Sequence, residues 1–293
     1  MIPGRPLRIL LCAAALVHAH CSATSVSVVD DSGHTITLPS PATRIVSLAP
    51  HTTELLFAAG AGARIVAVSE FSDQPPAAKR LPSVGSSLQL DLERIVALKP
   101  DLVVAWKTGN NARQLSRLRA LGFTVFDSEP RSFDDIASSL DRLGVLAGSI
   151  EGRTQASHFR STVESLRQRY AKRSHVTVFY QIWQAPLMTL NDSHVVSEAI
   201  RLCGGVNVFG SLPSLAPTIS RESVVRVDPD LIVLSDEQQE AIDRWRKFTQ
   251  MKAVRHGALF RIDGSAINRP GPRLAEATRM LCEHIDAARN HNH

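Results

Sequence analysis

Two fourteen-residue stretches of this chain, LERIVALKPDLVVA (92–105) and RESVVRVDPDLIVL (221–234), align at an offset of 129 residues with six identical positions. The identities are Glu93/Glu222, Val96/Val225, Pro100/Pro229, Asp101/Asp230, Leu102/Leu231 and Val104/Val233. Each stretch reads as a short helix opening on a glutamate, a Pro-Asp link and an apolar strand. An αβ unit repeated at that distance constrains the chain to two similar α/β lobes. Each lobe needs a parallel sheet with helices over it, because parallel strands are joined by helical crossovers. Two such lobes leave a cleft between them, and interdomain clefts are where ligands bind.

The rest of the chain supports that architecture. Arg44–Leu48 reads as a buried strand, followed by a helix through Glu54–Ala59 that Thr52 or Thr53 caps and Gly60 ends. Ile65–Val68 and Thr124–Phe126 are further strands, with a helix over Ala112–Leu121 between them. From Ser149 to Lys172 there is one helical stretch without proline, its apolar positions Ala156, Phe159, Val163, Leu166 and Tyr170 falling on one face. The expected division is a leader over 1–23, an N-terminal α/β lobe over 24–148, one long connector helix over 149–172 and a C-terminal α/β lobe over 173–293. The ligand cleft lies between the lobes.

The leader rests on pattern. Arg5 and Arg8 precede the apolar run Ile9–Val17, and nine residues are too few to span a bilayer. Small residues follow, with cleavage expected after Ala19 or Ala23, and His20 makes Cys21 a poor lipid-attachment site. This predicts an exported protein in the periplasm. Cys12 leaves with the leader, as does Cys21 if cleavage follows Ala23, leaving Cys203 and Cys282, 79 residues apart. In an oxidising compartment they are either a disulfide, contributing roughly 4–5 kcal/mol on the chain-entropy account, or two buried thiols.

The net charge of +5 is mild and no basic run occurs, which argues against nucleic acid as a partner. The chain has no phosphate loop, no G-x-G-x-x-G, no G-x-S-x-G, no H-E-x-x-H and no C-x-x-C. It is therefore expected to bind rather than catalyse, with no resident cofactor. Only 5% of residues are aromatic, so those near strand ends carry weight. Trp106 ends the strand in the first repeat, Phe71 sits in a turn closed by Asp73 and Pro75-Pro76, and Trp183 follows the first strand of the second lobe. Arg269 and Arg273 flank a rigid Pro-Gly-Pro turn; Arg269 can offer a forked donor, while Arg273 covers a helix face. Flat aromatics with such a donor suit a planar macrocycle with amide or carboxylate edges. His51 is open between a metal or haem ligand, a polar wall residue and a helix-start group.

The stretches RIVSLAPHTTELLFAAG (44–60), FSDQPP (71–76), LERIVALKPDLVVAW (92–106) with Gly109-Asn110, CGGVNVF (203–209), SRE (220–222) and Pro272-Arg273 carry a whole-chain resemblance. The chain resembles the periplasmic substrate-binding proteins for cobalamin, haem and ferric siderophores, and among them most nearly the cobalamin binders. The resemblance implies rigid lobes bridged by a helix, a corrinoid (cobalamin) in the groove and a monomeric carrier. It implies a partner too: an ABC permease dimer in the inner membrane with its ATPase subunits. Glu93 and Glu222 match residues that dock on permease arginines, and Cys203 and Cys282 match a disulfide pair. Trp106 matches an aromatic contacting the corrin, and Arg269 a retained arginine. Phe71 stands where cobalamin binders have Tyr, Leu88 and Ala216 where they have Trp, and Ser265 where they have Asp. Trp183 has no direct counterpart. Haem or a ferric siderophore is the alternative ligand, a secreted hydrolase or a bare metal-ion binder the remote one.

Overall fold

A computed structural model of the chain describes residues 24–235 and 239–290. The expected leader, with Cys12 and Cys21, lies outside the described residues.

An antiparallel pair, β1 (Val26–Val29) and β2 (Thr35–Leu38), opens the fold. The first lobe follows as β3 (Ile45–Ser47), α1 (Pro50–Ala58), β4 (Ile65–Val68), α2 (Leu92–Leu98), β5 (Leu102–Trp106), α3 (Ala112–Ala120) and β6 (Val125–Ser128). Its four strands are all parallel, in the order β4-β3-β5-β6. Two packed helices come next, α4 (Phe133–Ala147) and α5 (Glu151–Tyr170). They touch backbone to backbone at Gly144 and Gly152, where a Cβ on either would lie under 3 Å from the other.

The second lobe begins with β7 (Val176–Gln181) and a short hairpin, β8 (Trp183–Gln184) and β9 (Leu187–Met188). It continues through α6 (Val195–Leu202), β10 (Gly205–Asn207), α7 (Arg221–Val227), β11 (Leu231–Leu234), α8 (Gln239–Arg246), α9 (Lys252–Arg255), β12 (Leu259–Arg261) and α10 (Gly264–Ile267) to α11 (Leu274–Asn290). Its parallel sheet runs β10-β7-β11-β12, the order of the first lobe repeated.

The sequence repeat has a structural cause. Helices α2 and α7 are both seven residues long, and each ends on a left-handed residue other than glycine, Lys99 (φ 46°) and Asp228 (φ 42°). A proline follows, which cannot continue a helix. The aspartate after it reaches the neighbouring chain: an Asp101 carboxylate oxygen accepts from the Thr43 amide (2.7 Å) and hydroxyl (2.8 Å). Asp230 does the same with the Thr177 amide (2.9 Å) and hydroxyl (2.7 Å). Pro-Asp is thus a fastener between the incoming strand and the start of the strand beside it.

Helix α1 begins earlier than the threonines suggest. Pro50 takes the first helical position, where its fixed φ fits and its missing N–H costs nothing, and Thr52 sits in the first turn, accepting from the Ala49 amide at 3.1 Å. Helix α5 falls inside the expected 149–172 segment. Its buried Phe159, Val163 and Tyr170 share one apolar cluster with Ile45 and Phe126 of the first lobe and Val178 and Phe179 of the second. Cys203, just past α6, is bonded to Cys282 of α11, and both are fully buried. No helix among the described residues is long and apolar enough to cross a membrane.

Candidate ligand-binding site

Three segments of the first lobe carry exposed apolar side chains and are tied to one another. Trp106 is the last residue of β5, at the carboxyl end of a parallel strand, where α/β folds place ligands. Its amide donates to Asn110 Oδ1 (2.7 Å), and Asn110 Nδ2 donates to the carbonyls of Leu48 (3.0 Å) and Ser87 (2.9 Å). Asn110 therefore joins the Trp106 turn to the segment bearing Leu88. Gly109 lies flat against the indole: a Cβ there would fall 2.0 Å from the ring. The Leu88 segment is tied in turn to the Phe71 loop, where the Glu70 amide donates to the Gly85 carbonyl at 2.8 Å. Phe71 and Leu88 are 78% and 74% exposed, and it is their placement on tied segments beside Trp106, rather than either exposure alone, that marks an interaction surface.

Phe71 is also strained. Its φ of 62° lies in the left-handed region, which a side chain with a Cβ enters at a cost of about 1–2 kcal/mol. Its carbonyl accepts from the Asp73 amide (3.0 Å) and from Arg269 Nη2 (3.4 Å). Strain held by surrounding bonds is typical of residues presented to a ligand.

His51 stands behind this wall. It is buried at 3% exposure in α1, with its ring edge-on to Trp106 at 5.5 Å and Nε2 3.4 Å from the Ser128 hydroxyl. Burial, and then the charge of Arg269, pull the imidazole down to about 3, so it is neutral at ordinary pH. Of the three readings left open by the sequence, a ligand on a groove-bound haem or metal is the one this placement opposes, because the ring is enclosed by protein.

In the second lobe, Trp183 lies in β8 just after β7. The indole is 57% exposed, and its Nε1 donates to the Ala185 carbonyl at 3.0 Å, so its own hairpin fixes the ring. Ala216 is half-buried and supplies no aromatic surface, while Leu215 beside it is 52% exposed.

Arg269 and Arg273 behave differently from a free donor and a helix cover. Arg269 Nη1 donates to Glu54 Oε1 (3.0 Å) and Asp73 Oδ1 (2.7 Å). Arg273 grips the same glutamate from the other side, Nε to Oε2 at 2.8 Å and Nη2 to Oε1 at 2.9 Å. Ser265 accepts from Arg273 with both its hydroxyl (3.2 Å) and its carbonyl (2.9 Å). Both arginines belong to the second lobe, Glu54 and Asp73 to the first. Burial raises the Asp73 carboxyl, but its hydrogen bond and charge pairing with Arg269 outweigh that and hold it low. Sequence reading passes over Glu54, although the signal is there: one acid in the otherwise uncharged helix PHTTELLFA must find a partner if its face is buried.

Glu93 and Glu222 are both exposed, each the second residue of its helix. Asp91 and Ser220 cap those helices through the amides of Arg94 (2.9 Å) and Ser223 (3.1 Å). Hydrogen bonds from its own amide and from Ser220 hold the Glu222 carboxyl below the ordinary range. Among the described residues one group is of metal-ligating type: Asp30, His34 and Asp127. Its carboxylates are occupied: Asp30 accepts from the amides of Ser32, His34 and Asp127, and Asp127 from Arg119 and Ser32. They fasten the β1–β2 hairpin to β6.

The family model described as periplasmic binding protein matches residues 45–266. The Vitamin B12-binding protein of Vibrio cholerae serotype O1 is 38% identical over 252 residues, covering 85% of this chain and 91% of that protein. The crystal structure of a periplasmic vitamin B12 binding protein of Vibrio cholerae superposes with a TM-score of 0.79 at 38% identity, covering 85% of this chain and 98% of the other. A periplasmic haem-binding protein from Roseiflexus sp. RS-1 has the same fold, with a TM-score of 0.72 at 24% identity, covering 84% of this chain and 98% of the other.

Proposed function

Starting from the fact that the chain belongs to the periplasmic binding protein family, we propose that it is a periplasmic carrier that captures cobalamin between its lobes and delivers it to an ABC permease. The observation that carries the ligand class is the set of exposed apolar side chains on tied segments, Phe71, Leu88 and Trp106 on one lobe, with Trp183 on the other. Such surfaces lose water favourably against a broad, flat macrocycle. The names of the relatives at 38% identity support the same ligand. Its work is binding rather than catalysis, and ATP is hydrolysed by the partner's ATPase subunits.

In this reading Trp106 and Phe71 make apolar contact with the corrin, His51 supports Trp106 from behind, and Trp183 restores aromatic surface that Ala216 lacks. Arg269, held by Glu54, Asp73 and the Phe71 carbonyl, presents a polar edge to the ligand. Glu93 and Glu222, at equivalent positions of the two lobes, dock on the two halves of the permease dimer in the inner membrane. The protein acts as a monomer made by removal of the leader 1–23, without a lipid on Cys21. Its N-terminal lobe spans 24–148, the connector 149–172 and the C-terminal lobe 173–293.

Calorimetry of the disulfide-intact mature protein tests this, with cyanocobalamin, haemin and a ferric hydroxamate as parallel titrants. The expected result is one-to-one cobalamin binding at about micromolar Kd or tighter, lost about tenfold in Trp183→Ala. Binding of haemin alone would move the protein to the haem branch of the family.

A further inference from the structure

The Arg269-Pro270-Gly271-Pro272-Arg273 turn of the second lobe folds over one carboxylate of the first. Glu54 is 3% exposed, and Gly271 passes so close that a Cβ there would lie 3.5 Å from Oε2. The arginines on either side of that glycine close on both carboxylate oxygens. Arg269 goes on to Asp73 and the Phe71 carbonyl, so one network joins Glu54 to the strained loop that presents Phe71. At the other side of the connection, Glu198 of α6 accepts from the Phe133 amide at the start of α4 at 3.1 Å, a neutral-donor contact without an ion pair. Of the charged ties between the lobes described here, Glu54 takes three contacts from two arginines, and Asp73 takes one from Arg269.

We propose that Glu54 is the positioning residue of the cleft: it locks the second lobe to the first through Arg269 and Arg273 and, through Arg269, holds the Phe71 loop in its ligand-facing form. This rests on the carrier reading above for what the cleft holds. The physical basis is asymmetric. A forked guanidinium pair on a buried carboxylate fixes direction as well as distance, and removing the charge leaves two arginines without their shared acceptor. The apolar cluster around α5 is non-directional, whereas the Glu54 contacts add a directional constraint between the lobes.

The test places spin labels at Ala97→Cys and Arg226→Cys, exposed positions equivalent in the two lobes by the 129-residue offset, in the mature, disulfide-intact chain. Without ligand, the wild-type background should give one narrow interlobe distance distribution. Glu54→Gln should at least double its width while leaving far-UV circular dichroism unchanged. Cyanocobalamin dissociation should accelerate about tenfold or more. If Glu54→Gln does not fold, Arg273→Lys keeps the charge but loses the fork and should broaden the distribution by a smaller amount. A distribution as narrow as wild type in the folded variant would overturn the proposal, and so would a broadened one with an unchanged dissociation rate. Failure of the wild-type protein to bind cyanocobalamin would sink the ligand reading instead, with the distance arm still deciding the role of Glu54.

Discussion

The imidazole of His51 meets the indole of Trp106 edge to face, with 5.5 Å between ring centroids and 83° between ring planes. A neutral ring presents its edge to an aromatic face comfortably; a charged one in that enclosure would have no solvent to screen it.

Stability should therefore depend on pH through the buried histidines. Burial lowers His51 to about 3 and His194, the N-cap of α6, to about 4, against 6.5 for each unfolded. Between those values the unfolded chain binds protons that the native chain refuses. Their stabilising contribution is complete above pH 6.5 and is lost as pH falls toward 4 and then 3. Urea melts at pH 7, 6 and 5 should show His51→Asn with a shallower fall than wild type, by about 2 kcal/mol in total between pH 7 and 5 and mostly below pH 6, where the unfolded imidazole becomes protonated. Identical slopes would mean that His51 takes up its proton as readily in the native protein as in the unfolded chain.

Gly109 is a second support of Trp106. Gly109→Ala puts a methyl where the indole lies, so the ring must move. The expected outcome is a loss of cobalamin affinity of about tenfold or more, with thermal unfolding shifted little because the residue is in a surface turn. Calorimetry with a parallel melt reads both, and undiminished affinity would remove Trp106 from the contact surface.

The docking role of Glu93 and Glu222 separates cleanly from ligand capture. Glu93→Ala with Glu222→Ala should abolish cobalamin uptake in cells and leave the calorimetric Kd of the purified protein within about twofold. Loss of binding in the double variant would count against a docking function.

The Cys203–Cys282 bond closes a loop of 79 residues between α6 and α11. Replacing both cysteines with serine should cost roughly 4–5 kcal/mol by chemical denaturation, from the entropy regained by the unfolded chain. A loss under about 1 kcal/mol would show that the unfolded chain is already constrained there.

The helix–Pro-Asp–strand unit was readable from letters because its work is local. A proline that stops a helix and an aspartate that fastens the next strand act within a few residues, so both copies kept them. Trp106 was legible for the same reason, since the last residue of a parallel strand reaches the cleft side of the sheet whatever surrounds it. Phe71 was found as a turn aromatic, but its left-handed backbone was not, because that conformation is held by Arg269, 198 residues away.

Glu54 marks the boundary. Periodicity and short-range stereochemistry write into the chain two parallel-sheet lobes, the helix between them, the aromatic strand ends and the paired surface glutamates. That Arg273 chelates Glu54, that Arg269 is shared between Glu54 and Asp73, and that His51 packs on Trp106 emerges with the packing of distant segments. Burial and charge pairing are properties of neighbours in space, and a carboxylate takes its partner from whichever residues the packing of two lobes brings within hydrogen-bonding reach.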